Sequence, residues 1–265
     1  AAGIIGGPQV AHSPGLVVYP RLFASLSGDQ PRSYCPLVTQ SLSAAEPLLR
    51  ALDLVALSVT MPLKAQAAQY GRGDDLVARL GAANSWRRDG TGWGATNTDV
   101  IGVAAPLGAY PHGDRMLVRG AGGAAAAAAE AGLRLGMQVA VSARRAEAAR
   151  TLATRLSITA VPWEARGRTG PNTLINATPV CGPDASPWPD RGEATPRVVF
   201  DLALGPPEAV PKLRAQLPEA TFIDPRQMWF AQGAAQMSWM LGLPVEAAAL
   251  RDAYEAGSAT PGTGS

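Results

Sequence analysis

The chain has 265 residues and a net charge of +2, which arises from 23 basic and 21 acidic side chains. This length suits one or two globular domains, and so small a net charge argues against nucleic acid as a partner. The two cysteines cannot form a disulfide framework, which favours a reducing, cytoplasmic setting, and no apolar run approaches the roughly 18 residues that a membrane span needs.

The first third of the chain alternates short apolar runs with segments of helical length, a pattern that is typical of α/β proteins. It predicts strands over residues 3–6, 33–38 and 54–60, and a hairpin over residues 84–96 with Asp89-Gly90 at its turn. A helix is predicted over residues 43–52 with Ser43 as its N-cap. Pro62 is placed in the first turn of a further helix, which carries Lys64.

The middle of the chain predicts a βαβ unit of the length that binds a dinucleotide. A strand over residues 115–119 leads into a glycine turn, a helix that runs to about Leu135, and a second strand over residues 138–142. The later predicted elements are strands over 158–161, 173–177, 198–204 and 221–223, a loop over 179–196, helices over 227–242 and 245–256, and a polar tail over 257–265. The predicted fold class is therefore α/β.

The turn after the first strand of this unit carries a dinucleotide-binding pattern. Residues 120–125, GAGGAA, fit G-x-G-x-x-G/A between a predicted strand and a predicted helix. Glycines permit a tight turn and a close approach of pyrophosphate, and the helix N-terminus supplies free N–H groups. The alternative is a coincidental turn in a chain rich in alanine and glycine. The predicted cofactor contacts here are Gly120, Ala121, Gly122, Gly123 and Ala124.

The end of the second strand indicates which dinucleotide is bound. An acidic residue at this point binds the ribose 2′-hydroxyl of NAD, whereas this strand ends in Ser142-Ala143-Arg144-Arg145. Two cations without a carboxylate suit a 2′-phosphate, so the predicted cofactor is NADP. The alternative is a pair of ordinary surface arginines at the start of a helix.

The scarcity of lysine draws attention to one side chain. The only lysines are Lys64 and Lys212, and lysine can exchange a proton where arginine stays protonated. Lys64 follows a predicted strand, and Asp99 ends the hairpin region. Beside NADP, an ammonium–carboxylate pair can hold an alcohol oxygen and relay its proton during hydride transfer. The two histidines and two cysteines show no metal-ligand spacing, so no metal site is predicted.

Several short motifs in register resemble those of the shikimate dehydrogenase family over nearly the whole chain. In chain order they are His12-Ser13 (the family's serine-rich substrate loop), Ser58-Val59-Thr60-x-Pro62-x-Lys64 (N-V-T-x-P-x-K), Ala83-Asn84-Ser85 (V-N-T), Asn97-Thr98-Asp99 (N-T-D), Gly120-Ala121-Gly122-Gly123 (the glycine loop), Ala143-Arg144-Arg145 (N-R-T), Asn176-Ala177-Thr178 with Gly182 (N-A-T-x-x-G), and Gln232-Gly233-Ala234 (the glutamine of the penultimate helix). Such a series is far more specific than any one of its members.

The resemblance implies a two-domain α/β protein that interconverts 3-dehydroshikimate and shikimate with NADP, a step of aromatic amino acid biosynthesis. Residues 1–99 and 231–265 would form the substrate-binding and catalytic domain, residues 100–230 a Rossmann-type NADP-binding domain, and residues 257–265 a flexible tail. Lys64 and Asp99 would be the catalytic pair. The implied substrate contacts are Ser13, Gly15, Ser58, Thr60, Asn84 and Gln232, and the further cofactor contacts are Ala143, Arg144, Arg145, Asn176, Ala177 and Thr178.

The sequence also departs from the family pattern, mostly at residues implied to face the substrate's carboxylate. Gly15 replaces a loop serine, Ser58 replaces the asparagine before Val-Thr, and Leu204 replaces a tyrosine. Gly15 is therefore expected to leave space for a C1 hydroxyl such as that of quinate. Two alternatives to shikimate dehydrogenase stay open: a related oxidoreductase acting on quinate or another cyclic polyol acid, and a non-catalytic dinucleotide-binding regulator. In each enzymatic reading the partner is a small molecule, with no nucleic acid or membrane involved.

Overall fold

The computed structural model describes residues 1–26, 33–180, 195–203 and 209–258. It divides the chain into two compact units, one formed by Ala1–Thr98 with Gly233–Ser265 and the other by Asp99–Gln232. In the described ranges, no helix combines the length and the apolar character needed to cross a bilayer.

The first unit is built on a mixed six-stranded sheet. Its strands are β1 (Ala2–Gly6), β2 (Tyr34–Val38), β3 (Ala56–Val59), β4 (Arg72–Gly73), β5 (Ser85–Asp89) and β6 (Gly92–Thr96), in the order β2-β1-β3-β5-β6-β4. Strand β1 pairs in parallel with β2 and β3. Strand β5 pairs antiparallel with β3 and with β6, its partner in the predicted hairpin, and the short β4 pairs in parallel with β6. Gly90 forms the turn with φ +59°, a conformation that glycine adopts without strain.

The helices that accompany this sheet differ in part from the predicted ones. They are α1 (Gly15–Ser25), α2 (Leu42–Ala51), α3 (Lys64–Tyr70) and α4 (Asp75–Leu80). The N-cap of α2 is Ser41, whose hydroxyl accepts from the N–H of Ala44, so the prediction of Ser43 as the cap is wrong. Pro62 precedes α3 in a turn rather than lying in its first turn, and Lys64 is the first residue of that helix.

The second unit has the parallel sheet that the βαβ pattern predicts. Its strands are β7 (Arg115–Arg119), β8 (Gln138–Ser142), β9 (Thr159–Ala160), β10 (Thr173–Asn176), β11 (Val198–Asp201) and β12 (Thr221–Ile223), in the order β12-β11-β10-β7-β8-β9. Every neighbouring pair is parallel. The apolar residues of the central strands β7 and β10 are buried, as expected for a parallel sheet with both faces covered, and the predicted Rossmann-type fold is confirmed.

The remaining helices are α5 (Asp99–Gly108), α6 (Gly123–Arg134), α7 (Ala146–Leu156), α8 (Ala209–Gln216), α9 (Pro225–Leu241) and α10 (Ala247–Ser258). Small residues let α6 lie close on the sheet, because a Cβ at Gly132 would overlap the Cε of Met116 on β7. Helix α10 continues to Ser258, past residue 257 where the polar tail is predicted to begin, and residues 259–265 lie outside the described ranges.

Candidate active site

Backbone hydrogen bonds bring the start of α3 to the segment around Asn84. The N–H of Ala83 donates to the carbonyl of Lys64 at 2.9 Å, and the carbonyl of Asn84 accepts from the N–H of Val59 at 2.7 Å. Lys64 is half-buried at the first position of its helix, and Thr60 is half-buried at the end of β3. These contacts place Lys64, Thr60 and Asn84 at neighbouring points of the first unit.

The Asn84 side chain fixes the segment that leads into Asp99. Its Oδ1 accepts from the N–H of Thr98 at 2.9 Å, and its Nδ2 donates to the hydroxyl of Thr98 at 3.0 Å. The side chain of Asn97 donates to the carbonyl of Ala82 at 2.9 Å. Asp99 follows directly as the first residue of α5 and is buried, at 3% exposed. The Asn-Thr-Asp motif is therefore held by hydrogen bonds on both residues that precede the carboxylate.

Ser58 lies in a buried polar network that includes two residues the sequence analysis missed. Its hydroxyl accepts from the hydroxyl of Tyr34 and donates to Oε1 of Gln236, each at 2.6 Å. Burial, followed by the neighbouring Tyr19, raises the pKa of Tyr34 well above its usual value, so that its hydroxyl stays protonated as a donor. A polar residue in the otherwise apolar stretch of α9 was the only sequence signal for Gln236.

The space beside Gly15 is filled by aromatic rings. A Cβ at Gly15 would lie 2.8 Å from Cε2 of Tyr19 and 3.3 Å from Cε1 of Tyr34. The two rings meet edge to face, with their centroids 4.8 Å apart. The expectation that Gly15 leaves room for a C1 hydroxyl is therefore wrong at this point, because Tyr19 occupies that volume. Ser13 is half-buried next to it, and its hydroxyl accepts from the N–H of Gly15 at 3.3 Å.

In the second unit, Gln232 lies on α9 where that helix packs tightly against α5. A Cβ at Gly102 of α5 would be 2.6 Å from the Cβ of Gln232, so only glycine permits this approach. Gln232 is half-buried, and its Nε2 donates to the carbonyl of Trp229 at 3.3 Å. The helix that begins at Asp99 and the side chain of Gln232 are thereby held close together.

The glycine turn after β7 has the geometry that a dinucleotide requires. Gly120 has φ +124°, and a Cβ there would lie 2.7 Å from the carbonyl oxygen of Ala177. Among the residues that the structure describes, nothing lies within 4 Å of a Cβ built at Gly122, the residue that precedes α6. No described side chain caps this helix and no acid lies in its first turn, which leaves its N–H groups and positive dipole end for an anion.

Two further loop segments border this turn. Arg144 and Arg145 follow β8, are exposed, and within the described part of the chain have no hydrogen-bond or ion-pair partner. After β10, the Oδ1 of Asn176 accepts from the N–H and the hydroxyl of Thr178, at 3.0 and 2.7 Å, and closes a tight turn. Unpaired guanidinium groups and an open helix N-terminus fit the 2′-phosphate and the pyrophosphate of NADP. Across the residues that the structure covers, no cluster of His, Cys, Asp and Glu could hold a metal ion.

Comparison with known proteins decides the family. The chain is 35% identical to the shikimate dehydrogenase (NADP(+)) of Anaeromyxobacter dehalogenans strain 2CP-C, over 96% of this chain and 95% of that protein. The chain belongs to the shikimate dehydrogenase family. No family model matches the sequence, so this assignment rests on full-length relatives.

Solved structures agree with this assignment. A shikimate dehydrogenase of Thermus thermophilus, in complex with NADP(H) and shikimate, has a TM-score of 0.83 at 27% identity and covers 97% of this chain and 98% of its own. A quinate dehydrogenase of Corynebacterium glutamicum in complex with NAD has the same TM-score at 21% identity, covers 96% of this chain and 98% of its own, and shows only that the fold is shared. Of the residues compared with the family's motifs, Gly182 and Leu204 lie outside the described ranges.

One carboxylate of this shikimate dehydrogenase family member has an unusual environment. Asp201 ends β11 and is 7% exposed, and burial raises its pKa from 3.8 to about 6 although two hydrogen bonds oppose this change. Both bonds reach the same oxygen, because Oδ1 accepts from Nδ2 of Asn176 at 2.9 Å and from the N–H of Ala203 at 3.0 Å. An asparagine at position 201 could therefore keep both bonds through its own Oδ1 without a charge.

We expect Asp201→Asn to raise stability at neutral pH. A carboxyl whose folded pKa lies above its unfolded pKa stabilises the fold when protonated, and this contribution is lost as pH rises from about 4 through about 6. The difference between 3.8 and about 6 corresponds to at most about 3 kcal/mol. Thermal unfolding of both proteins across this pH range measures the effect. The Tm gain of the variant should grow with pH, and a gain that is equal at all pH values would show that Asp201 does not titrate in this way.

Proposed function

We propose that the chain is an NADP-dependent shikimate dehydrogenase, which interconverts shikimate and 3-dehydroshikimate by hydride transfer. The observation that carries this is the full-length similarity to relatives named shikimate dehydrogenase (NADP(+)). The first unit would bind the substrate and the second unit NADP. A small-molecule substrate is also supported by the shikimate bound in the Thermus thermophilus structures. The cytoplasmic location stays a prediction.

Lys64 and Asp99 would handle the proton of the reacting hydroxyl. The bound NADP+ would supply the hydride acceptor for the alcohol carbon. As the carbonyl forms, the hydroxyl proton must leave the oxygen. The ammonium of Lys64 would stabilise the negative charge that develops on this oxygen, and the carboxylate of Asp99 would accept the proton. Burial of Asp99 and half-burial of Lys64 keep bulk water from competing for these contacts.

Four further polar residues would hold the ring of the substrate. Ser13 and Thr60 carry hydroxyl groups, and Asn84 and Gln232 carry amides, which can donate to a carboxylate and exchange hydrogen bonds with ring hydroxyls. All four residues lie at strand or helix ends, or within a helix, where the backbone is fixed by hydrogen bonds. This support favours a preorganised site, because little conformational freedom is lost when the substrate binds.

The glycine turn and the two arginines would hold NADP, which leads to a selective prediction. We expect Arg144→Ala with Arg145→Ala to raise the Kd for NADP+ by about 10- to 100-fold while changing the Kd for NAD+ by less than about twofold, because only NADP+ carries the phosphate. Isothermal titration measures both constants. Arg150→Ala is the matched control, because Arg150 is exposed on α7 and pairs with Glu147. An equal loss of affinity for both cofactors would assign the arginines a structural role.

Analysis of the products tests the proposed reaction itself. Incubation of the purified chain with shikimate and NADP+ is expected to give NADPH and 3-dehydroshikimate in equal amounts, identified by absorbance and by mass. A carbonyl product formed only from quinate would favour the related oxidoreductase instead. Binding of NADP+ without turnover of any cyclic polyol acid would favour the non-catalytic regulator.

A further inference from the structure

A buried glutamine on α9 connects three segments of the first unit. Gln236 is 3% exposed, and its side chain makes three hydrogen bonds. Its Oε1 accepts from the hydroxyl of Ser58 at 2.6 Å, and its Nε2 donates at 2.9 Å both to the carbonyl oxygen of Asn84 and to the hydroxyl of Ser85. A buried amide that uses both of its nitrogen protons is strongly constrained in orientation. Gln236 thus joins α9 to the ends of β3 and β5.

One series of hydrogen bonds runs from the carbonyl of Asn84 through Gln236 and Ser58 to Tyr34, and that carbonyl fixes which group donates in each bond. A carbonyl oxygen can only accept, so the nitrogen of the Gln236 amide must face it and the oxygen must face Ser58. Ser58 must then donate its single proton to Gln236, and Tyr34 must donate its own proton to Ser58. Neither of these two hydroxyl groups has a proton left for a substrate. Ser58 therefore acts on the site through its neighbours rather than as a donor.

A second series of hydrogen bonds connects Gln236, through Ser85, to the side chain of Asn84. The hydroxyl of Ser85 accepts from Gln236 and donates to Oδ1 of Asn84 at 2.7 Å. The N–H of Thr98 donates to the same oxygen, which fixes it as the oxygen of the amide. The Nδ2 of Asn84 consequently points the other way and donates to the hydroxyl of Thr98 at 3.0 Å. Gln236 thus bonds directly to the carbonyl oxygen of Asn84 and, through the hydroxyl of Ser85, restrains the rotation of the side-chain amide of Asn84.

We propose that Gln236 is a positioning residue of the substrate site, which orients the amide of Asn84 and locks the hydroxyl of Ser58. This inference rests on the proposed function only through the role of Asn84 as a substrate contact. It also gives the serine at position 58, where the family pattern has an asparagine, a defined partner in the amide of Gln236. Loss of the Gln236 amide should weaken substrate binding and leave cofactor binding unchanged.

Gln236→Met tests this role with a side chain of similar length that makes none of the three bonds. We expect the KM for shikimate to rise by about 10- to 100-fold, since buried donors and acceptors lose their partners, while the KM for NADP+ changes by less than about twofold. Ser238→Ala is the matched control on the same helix. Among the described residues, the hydroxyl of Ser238 bonds only to the backbone of Val245, at 2.9 and 3.3 Å, so this variant should lower Tm and leave both KM values unchanged. A lower Tm of Gln236→Met with an unchanged KM for shikimate would overturn the proposal.

Gln236→Glu provides a readout that a purely structural role would not produce, and serves if the methionine variant does not fold. A protonated glutamic acid can accept from Ser58 and donate to the carbonyl of Asn84, whereas its ionised form can only accept. Burial raises the pKa of such a carboxyl, so both forms occur within the range of an assay. The ratio of the KM for shikimate in this variant to that of the unmodified protein should rise by about tenfold or more with increasing pH. A ratio that does not depend on pH would contradict the proposal.

The unmodified protein separates this inference from the proposed function. If it oxidises shikimate and the two variants keep a normal KM, the positioning role fails and the function stands. If it oxidises only another cyclic acid, the proposed function fails. The same KM ratios, measured with the acid that is oxidised, then decide the role of Gln236.

Discussion

Replacing Lys64 with alanine is expected to lower kcat by at least about 10²-fold while the Kd for NADP+ stays within about twofold of its normal value. The ammonium group is proposed to stabilise the oxygen that loses its proton, an interaction that strengthens as negative charge develops in the transition state. The rate should therefore fall more than substrate affinity does. Initial rates with saturating shikimate and NADP+, together with calorimetric titration of NADP+, measure the two quantities.

Lys212→Ala is the matched control for this experiment, because Lys212 is the only other lysine and is exposed on α8. The Lys212→Ala variant should oxidise shikimate with the kcat of the unmodified protein. Lys64→Arg keeps the positive charge but carries it on a larger, planar guanidinium group, which cannot take the position of a compact ammonium, so we expect it to recover little of the lost rate. A kcat of Lys64→Ala close to that of the unmodified protein would remove Lys64 from the chemistry.

Asp99→Asn is expected to lower kcat by about 10²- to 10⁴-fold, the range for the loss of a positioned proton acceptor. An amide of nearly the same shape can occupy the buried site, so the fold should persist, but the amide cannot take up the hydroxyl proton. Initial rates with saturating shikimate and NADP+ measure kcat, and calorimetric titration of NADP+ shows whether the variant still binds the cofactor.

The control for Asp99→Asn must reproduce the loss of an acid at a helix N-terminus. Asp75 is the first residue of α4, as Asp99 is of α5, and it is exposed. Asp75→Asn removes the same favourable interaction with a helix dipole, which is worth about 0.3–1 kcal/mol, without touching the proposed site. If Asp99→Asn kept normal turnover, as Asp75→Asn should, the proposed proton acceptor would have to be another group.

Local sequence signals predict the strands and their turns well. Apolar runs with glycine or proline at their ends give β7, β8 and β12 at their observed positions, and Asp89-Gly90 gives the hairpin. The missed helix α1 begins after Pro14 without a side-chain cap and contains Pro20, so it lacks the usual start signal and includes a residue that disfavours helix interiors.

Missing α1 explains the wrong expectation about Gly15. Gly15 and Tyr19 are four residues apart on this helix and share one face, so the tyrosine ring fills the volume beside the glycine. With no helix predicted over this segment, the sequence gives no reason to place these two residues together. An error in local structure became an error about the shape of the site.

The network around Gln236 could not be predicted for a different reason. Ser58 and Gln236 are separated by 178 positions in the sequence, and a hydrogen bond between them depends on how α9 packs against the ends of β3 and β5. Motifs identify residues near the ends of strands, where side chains of neighbouring parallel strands meet at one edge. Contacts made by a distant helix carry no local signal, and only the fold brings them together.

The comparison of kcat/KM for shikimate and quinate, each with NADP+ and with NAD+, tests the central claim most directly. The account predicts NADPH formation from shikimate with a kcat/KM of about 10⁴ M⁻¹s⁻¹ or more, as enzymes show on their own substrates, and lower values for quinate and for NAD+. A higher kcat/KM for quinate, or a preference for NAD+, would contradict it.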